Sequence, residues 1–156
     1  MKTDWKKLLI AVAIPLAVGG LAAYITRGGF SAFETIKKPF LSPPGWLFPV
    51  AWTLLYTLMG IASYRIYCQV TTYEKRKNAL TIYFIQLFFN FVWPIIFFNI
   101  EEYLFAFIWI LALWALIFLC LQRFKEIDKI AGWLLIPYLA WVAFAAYLNL
   151  GIFILN

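Results

Sequence analysis

The sequence predicts an all-α membrane protein, a bundle of five transmembrane helices with a long first loop that contains a short helix. Composition is the first reason, because 65% of the 156 residues are hydrophobic and only 13% are charged, whereas an average soluble domain is about 25% charged. The second is that the chain contains five uncharged runs, each close to the roughly 20 helical residues that cross a bilayer core about 30 Å thick.

The five runs define the predicted helices of a single domain, residues 1–156. All 13 Lys and Arg and all 7 Asp and Glu residues fall outside them, as expected when a charge at the membrane centre costs about 2.5 to 3.5 kcal/mol. The first run follows three lysines, as in a signal peptide, but its length and the four later spans indicate a retained helix. The predicted spans are residues 8–26, 46–64, 78–98, 103–122 and 130–155.

The cations predict the orientation of the chain in a cell membrane. Ten of them lie in the N-terminal tail, the second loop and the fourth loop, whereas the opposite side has only Arg27, Lys37 and Lys38. Because positive loops stay in the cytoplasm, we expect a multi-pass protein with a cytoplasmic N-terminus and an external C-terminus. The net charge of +6 then indicates contact with anionic lipid and not with nucleic acid.

Several kinds of chemistry are disfavoured by what the chain lacks. It has no His and only two cysteines, Cys68 and Cys120, so we predict no zinc site, no histidine-ligated haem and no bound cofactor. No carboxylate lies within a span, which argues against a proton-coupled antiporter. There is also no phosphate-binding glycine loop and no nucleophile beside a base.

The segment from Lys38 to Tyr56 contains the most informative pattern. Its Pro43-Pro44 pair suits a helix start, where the missing N–H groups are not needed. Trp52 and Tyr56 are four residues apart and share a helix face, which predicts an aromatic wall. Each tryptophan could instead belong to the aromatic belt at the membrane interface, an alternative that suits Trp46 better than Trp52.

Polar and aromatic residues form stripes on the third and fifth spans. Amides in hydrocarbon need partners and usually face the bundle interior. The stripes could therefore provide hydrogen bonds between helices or contact a ligand. They consist of Gln86, Asn90 and Trp93 on the third span and of Tyr138, Trp141, Ala145 and Asn149 on the fifth.

These blocks resemble the TspO/MBR family of tryptophan-rich sensory proteins and translocator proteins, also described as peripheral-type benzodiazepine receptor-like. The likeness rests on the Lys38–Tyr56 segment, on the stripe from Gln86 to Phe98, and on the Asp128-xx-Ala131-Gly132-Trp133 block that continues to Asn149. It covers the whole chain. The Pro-Pro-Gly-Trp-x-Phe-Pro-xx-Trp-Thr-xx-Tyr pattern is its most specific part.

The resemblance implies more than the patterns do. Family members are expected to be five-helix bundles, commonly homodimers, with a pocket under the first loop for porphyrins and for isoquinoline carboxamide or benzodiazepine-type ligands. Phe33 occupies a position where certain relatives have Tyr, which weakens any hydrogen-bonding or radical role there. By matching positions, the predicted ligand-binding residues are Phe33, Pro43, Phe48, Trp52, Tyr56, Asn90, Trp93, Tyr138, Trp141 and Ala145.

We therefore expect a membrane receptor, sensor or carrier that binds a tetrapyrrole, with the lipid bilayer and a second copy of the chain as its other partners. The main alternative is an enzyme that degrades porphyrin using light and oxygen, with Trp52 and Trp141 as the candidate catalytic residues. A second alternative is a structural or regulatory partner protein without a ligand.

Overall fold

The computed structural model describes residues 2–156, and these form helices and turns with no strand. Five helical stretches are long and apolar enough to cross a membrane, so the predicted five-helix membrane architecture is confirmed. The elements are α1 (Trp5–Phe33), α2 (Leu47–Cys68), α3 (Tyr73–Pro94), a π-helix (Ile95–Ile100) that continues α3, α4 (Tyr103–Ile127), α5 (Lys129–Leu134) and α6 (Ile136–Leu155).

The helices extend beyond the uncharged runs because their ends are capped in polar surroundings. The Asp4 carboxylate accepts a hydrogen bond from the Lys7 N–H at 3.3 Å, which starts α1 before the uncharged run. The Thr72 hydroxyl accepts from the Lys75 N–H at 3.2 Å and starts α3 in the same way. With 29 residues, α1 is about 43 Å long and exceeds the hydrocarbon thickness.

The first loop is shorter than predicted, and its short helix is not confirmed. Arg27 ends the uncharged run but does not end α1, which continues to Phe33. The connection to α2 is thus residues 34–46, where the structure has only turns and extended backbone. Three prolines without N–H donors, at positions 39, 43 and 44, disfavour a regular helix in this segment.

The fifth span is interrupted, although the sequence predicts one helix over 130–155. It consists of α5 and α6, separated at Leu135, whose N–H donates to the Gly132 carbonyl at 3.1 Å. Pro137 lies in the first turn of α6, where its missing N–H is tolerated. The break therefore coincides with the proline, and Pro94 similarly precedes the π-helix.

The helices surround a common core in the order α1, α2, α5 with α6, α4 and α3. α1 also packs against α3 and the π-helix, which closes the ring. We call the two ends of the bundle the N-terminal end and the C-terminal end, after the terminus that lies at each. α1 and α2 approach closely at Gly60, where an added Cβ would lie 2.4 Å from the Val12 Cα.

The N-terminal half of the bundle is filled by side chains such as Met59, Ile66 and Phe124, which are fully buried. At the N-terminal end of the bundle, an ion pair joins α2 to the start of α5, because the Arg65 Nε donates to the Asp128 Oδ2 at 2.6 Å. Burial alone would raise the pKa of the Asp128 carboxyl. Hydrogen bonds from Arg65, Gln69 and the Ile130 N–H, with the Arg65 charge, instead lower this pKa below its ordinary value.

Candidate functional site

A cavity of about 510 Å³ lies in the C-terminal half of the bundle, and this size is typical of small-molecule sites. α1, α2, α3 with the π-helix, α4 and α6 all contribute to its lining. Its residues are mostly aromatic or small and apolar, so an occupant would be held mainly by apolar contact.

The wall formed by α2 consists of Trp52 and Tyr56, whose rings stack with centroids 5.4 Å apart. Gly19 on α1 makes this arrangement possible, because a Cβ there would lie 2.2 Å from the Tyr56 ring. The Trp52 ring also meets Tyr138 edge-on at 6.2 Å. Both α2 rings line the cavity, as the four-residue spacing predicts.

Four buried polar side chains form a continuous network at the floor of the cavity. The Tyr56 hydroxyl donates to the Asn90 Oδ1 at 2.7 Å, and the Asn90 Nδ2 donates to the Tyr138 hydroxyl at 2.7 Å. Tyr138 in turn donates to the Gln86 Oε1 at 2.6 Å. Tyr56 and Asn90 line the cavity, whereas Tyr138 and Gln86 lie behind them. Hydrogen bonds between helices therefore fix the floor.

A second polar connection joins α3, α4 and α6 beside the cavity. The Trp93 Nε1 donates to the Asn149 Oδ1 at 3.1 Å, and the Asn149 Nδ2 donates to the Tyr103 carbonyl at 2.9 Å. The Trp93 ring stacks on Phe97 at 5.1 Å. Since Asn149 satisfies the indole N–H, Trp93 presents mainly its ring to the cavity.

Phenylalanine rings form a ceiling at the C-terminal end of the cavity, and we call them the aromatic ceiling. They come from the end of α1, the start of α2 and the π-helix. Phe33 lies at their centre, 6.2 Å from Phe48 and 5.4 Å from Phe98 between ring centroids. The remaining members of the aromatic ceiling are Phe30 and Phe97.

α6 contributes Trp141 and Ala145, one turn apart. The Trp141 ring meets Phe48 edge-on at 6.1 Å, and its Nε1 is buried without a hydrogen-bond partner among the described residues. Ala145 is buried and lines the cavity beside the indole. This part of the wall therefore combines a free donor with a small side chain.

Arg27 is the only residue of the cavity lining with a charged side chain. Its guanidinium lies 3.9 Å from the Tyr24 ring centroid and donates to the Tyr24 carbonyl at 2.6 Å. None of the ion pairs in the described part of the chain includes Arg27. A positive group thus stands at the edge of an otherwise uncharged cavity.

Most of the ligand-binding residues predicted from sequence come together at this cavity. Those in the lining are Phe33, Phe48, Trp52, Tyr56, Asn90, Trp93, Trp141 and Ala145. Pro43 lies in the first loop outside the lining, and Tyr138 is one layer behind it, bonded to Asn90. Whether these residues bind a ligand stays a prediction.

Apart from Phe33, sequence reasoning missed most of the α1 lining, and it missed the contributions of the π-helix and α4. The α1 residues are mainly small, and nothing in their pattern distinguishes a cavity wall from a helix-packing face. A signal existed for Asn149, which belongs to the α6 stripe. Arg27, which the sequence places on the mouth side of the pocket as a candidate partner of porphyrin propionates, is in the lining. The lining residues outside the predicted set are Gly19, Ala22, Ala23, Thr26, Phe30, Gly45, Pro49, Pro94, Phe97, Phe98, Ile110, Leu113, Leu148, Asn149 and Ile152.

The described residues include few side chains of the types that bind metal ions. Residues 2–156 contain no group of three or more His, Cys, Asp or Glu side chains positioned to hold a metal ion. Cys120 is buried and Cys68 is partly buried, and both are free thiols.

The sequence is similar to those of several known proteins along most of its length. A tryptophan-rich protein TspO from Chlorobaculum tepidum is 35% identical over 150 residues, which cover 96% of this chain and 95% of the relative. A tryptophan-rich sensory protein from Cereibacter sphaeroides is 33% identical over 156 residues, covering 100% and 95% of the two chains. A translocator protein from Ovis aries is 32% identical over 151 residues, covering 96% and 89%. The model of the TspO/MBR family matches residues 11–155, and the chain belongs to this family.

Proposed function

We propose that this chain is a membrane receptor, sensor or carrier that binds a tetrapyrrole of the porphyrin or haem type in the central cavity. The cavity also suits isoquinoline carboxamide and benzodiazepine-type ligands, which are aromatic and largely apolar. The observation that carries the proposal is the aromatic lining by Trp52, Trp93 and Trp141 of a cavity of about 510 Å³. Flat macrocycles gain from such walls through stacking and through the burial of apolar area.

The single charge in the lining supports an anionic ligand. A porphyrin with propionate groups would place its macrocycle among the aromatic rings and a carboxylate near Arg27. Because that guanidinium lies at the edge of the cavity and forms no ion pair within residues 2–156, it is available to a carboxylate. Arg27→Gln should weaken binding of protoporphyrin IX but leave binding of its uncharged dimethyl ester unchanged.

Filling the cavity tests its role as the binding site. Ala145→Phe adds a ring beside Trp141 and should weaken protoporphyrin binding, because overpacking costs about 1 to 3 kcal/mol. The matched control is Ala143→Phe, since Ala143 is exposed on the same helix. Affinity is measured by quenching of tryptophan fluorescence, and folding by circular dichroism. Equal affinities in two well-folded variants would place the binding site elsewhere.

Light-driven porphyrin degradation is the alternative function. It is favoured by the positions of Trp52 and Trp141, two oxidisable indoles in the cavity wall. In such a reaction the excited macrocycle and oxygen would supply the reactivity, and the protein would position them and pass an electron. Trp52→Phe and Trp141→Phe should then slow porphyrin loss under illumination more than they weaken binding, whereas Trp133→Phe at an exposed position should do neither.

Porphyrin titration in the dark and under light separates the candidate functions. Saturable binding without bleaching supports the receptor or carrier, and bleaching that depends on the two indoles supports the enzyme. Absence of saturable binding would leave a structural or regulatory role as the remaining candidate.

We further propose a homodimer in the cell membrane, with a cytoplasmic N-terminus. Labelling of residue 2 from outside intact cells would contradict this orientation.

A further inference from the structure

The cavity reaches the surface on one side of the bundle. Among its lining residues, only Ala23, Arg27, Gly45 and Pro49 are exposed, and the others are buried or partly buried. Two of these residues are on the C-terminal half of α1, and the other two are in or just before α2. The opening therefore lies between α1 and α2.

Close contacts bound this opening at both ends. Towards the middle of the bundle, Gly19 accommodates the Tyr56 ring, as described above. At the C-terminal end, Gly45 lies beside the Phe30 ring of α1, since a Cβ added to Gly45 would lie 3.7 Å from the Phe30 Cε1. We call this opening, with Ala23, Arg27 and Pro49 at its rim, the α1–α2 window.

The window lies at the depth of the membrane and not of the surrounding water. Ala23 belongs to the uncharged run of residues 8–26, and Arg27 is the first charged residue after it. One turn of helix separates them, about 6 Å along the axis. The apolar part of the rim is therefore at the level of the hydrocarbon, while Arg27 is at the level of the lipid headgroups.

The route through the C-terminal end is closed by the first loop and the aromatic ceiling. The Lys37 N–H donates to the Asn156 Oδ1 at 3.2 Å, and the Asn156 Nδ2 donates to the Lys37 carbonyl at 2.8 Å. The Tyr147 hydroxyl donates to the Phe40 carbonyl at 2.6 Å. Three hydrogen bonds from α6 and its C-terminal cap thus hold the loop across the end of the bundle.

We propose that the ligand enters and leaves the cavity sideways, from the adjoining leaflet of the bilayer through the α1–α2 window, while the first loop stays closed. The inference rests on the proposed tetrapyrrole binding. An amphiphile dissolved in that leaflet carries its flat ring in the hydrocarbon and its carboxylates among the headgroups. It reaches the window already oriented, with a carboxylate at the depth of Arg27 and the ring at the depth of Ala23.

Uptake kinetics test this route. Protein in phosphatidylcholine vesicles is mixed with vesicles that contain protoporphyrin IX, and quenching of tryptophan fluorescence is followed over time. Ala23→Trp should slow uptake and release about tenfold, because it narrows the only proposed path. Leu21→Trp, which places the same indole at an exposed position of α1 outside the lining, should leave both rates unchanged. If Ala23→Trp melts at a lower temperature than wild type, the rates are measured with Ala23→Leu.

The first loop provides the opposite test. Asn156→Ala combined with Tyr147→Phe removes all three hydrogen bonds that hold the loop and should leave the uptake rate unchanged. Faster uptake in this double variant, or wild-type rates in both Ala23 variants, would overturn the lateral route. Absence of saturable equilibrium binding in the wild type would instead contradict the proposed function itself, so the two failures are distinguishable.

Discussion

Tyr138→Phe tests whether the polar network at the cavity floor stabilises the bundle. The substitution keeps the ring, which packs edge-on against Trp52, and removes only the hydroxyl. That hydroxyl accepts from the Asn90 Nδ2 at 2.7 Å and donates to the Gln86 Oε1 at 2.6 Å. All three side chains are at most 3% exposed, so water does not replace the lost partner.

The magnitude follows from the number of groups left unpaired. Each buried polar group without a partner costs about 1 to 3 kcal/mol in soluble proteins. In membranes, hydrogen bonds between helices average about 0.6 kcal/mol, because the dissociated helices also find partners. Tyr138→Phe leaves two groups unpaired, so we expect a loss of about 1 to 3 kcal/mol in the free energy of unfolding.

Two other tyrosines provide matched controls. Tyr56→Phe removes only the donor to the Asn90 Oδ1, an acceptor in the cavity lining, and should cost about 0.5 to 1 kcal/mol. The Tyr83 hydroxyl is equally buried but has no hydrogen-bond partner among the described residues. Tyr83→Phe should therefore be neutral or stabilising.

The assay is reversible unfolding in mixed micelles, followed by tryptophan fluorescence and circular dichroism. We expect the order of stability to be Tyr83→Phe, then Tyr56→Phe, then Tyr138→Phe. If Tyr83→Phe destabilises the protein as much as Tyr138→Phe, the cost arises from ring packing, and the reasoning about the network is wrong.

Two further predictions concern helix packing and charge. Gly19→Ala should lower the free energy of unfolding by about 1 to 3 kcal/mol, because the added Cβ would lie 2.2 Å from the Tyr56 ring. Gly20→Ala is the control, since no atom lies within 4 Å of its added Cβ. It should be neutral or stabilising in the same unfolding assay. Asp128 has a lowered pKa in the folded protein, so its stabilising effect is complete above the ordinary aspartate value, about 3.9, and is lost as the pH falls through the lower folded value. Asp128→Asn should therefore lower the melting temperature at neutral pH and reduce its decline in acid, and an unchanged acid decline would contradict the role of the ion pair with Arg65.

The number and position of the spans could be predicted because hydrocarbon excludes charge at every point along a helix. The ends could not, because a helix continues as long as its caps and backbone hydrogen bonds permit. Asp4 and Thr72 start helices outside the uncharged runs, and Arg27 does not stop α1. The break at Leu135 depends on how Pro137 is accommodated, and hydropathy does not report this.

Site residues could be predicted where polar or aromatic side chains recur on one face of a helix. Asn90 and Trp93 on α3 and Trp141 on α6 are polar or aromatic at helical spacing, and all three line the cavity. Gly19, Ala22 and Ala23 on α1 were missed because small apolar residues mark a cavity wall no differently from a helix-packing face. The π-helix changes the residues per turn, so its phenylalanines could not be assigned to a face by counting from α3.

Tyr138 shows why spacing alone does not separate a cavity wall from the layer behind it. It shares the stripe of Trp141 and Ala145, yet the hydrogen bonds with Asn90 and Gln86 hold its hydroxyl between α3 and α6. Tyr56, by contrast, is in the wall because Gly19 leaves room for its ring while Asn90 holds its hydroxyl. The same amide therefore bonds one tyrosine in the wall and another behind it, and the space left by Gly19 admits the ring of the first.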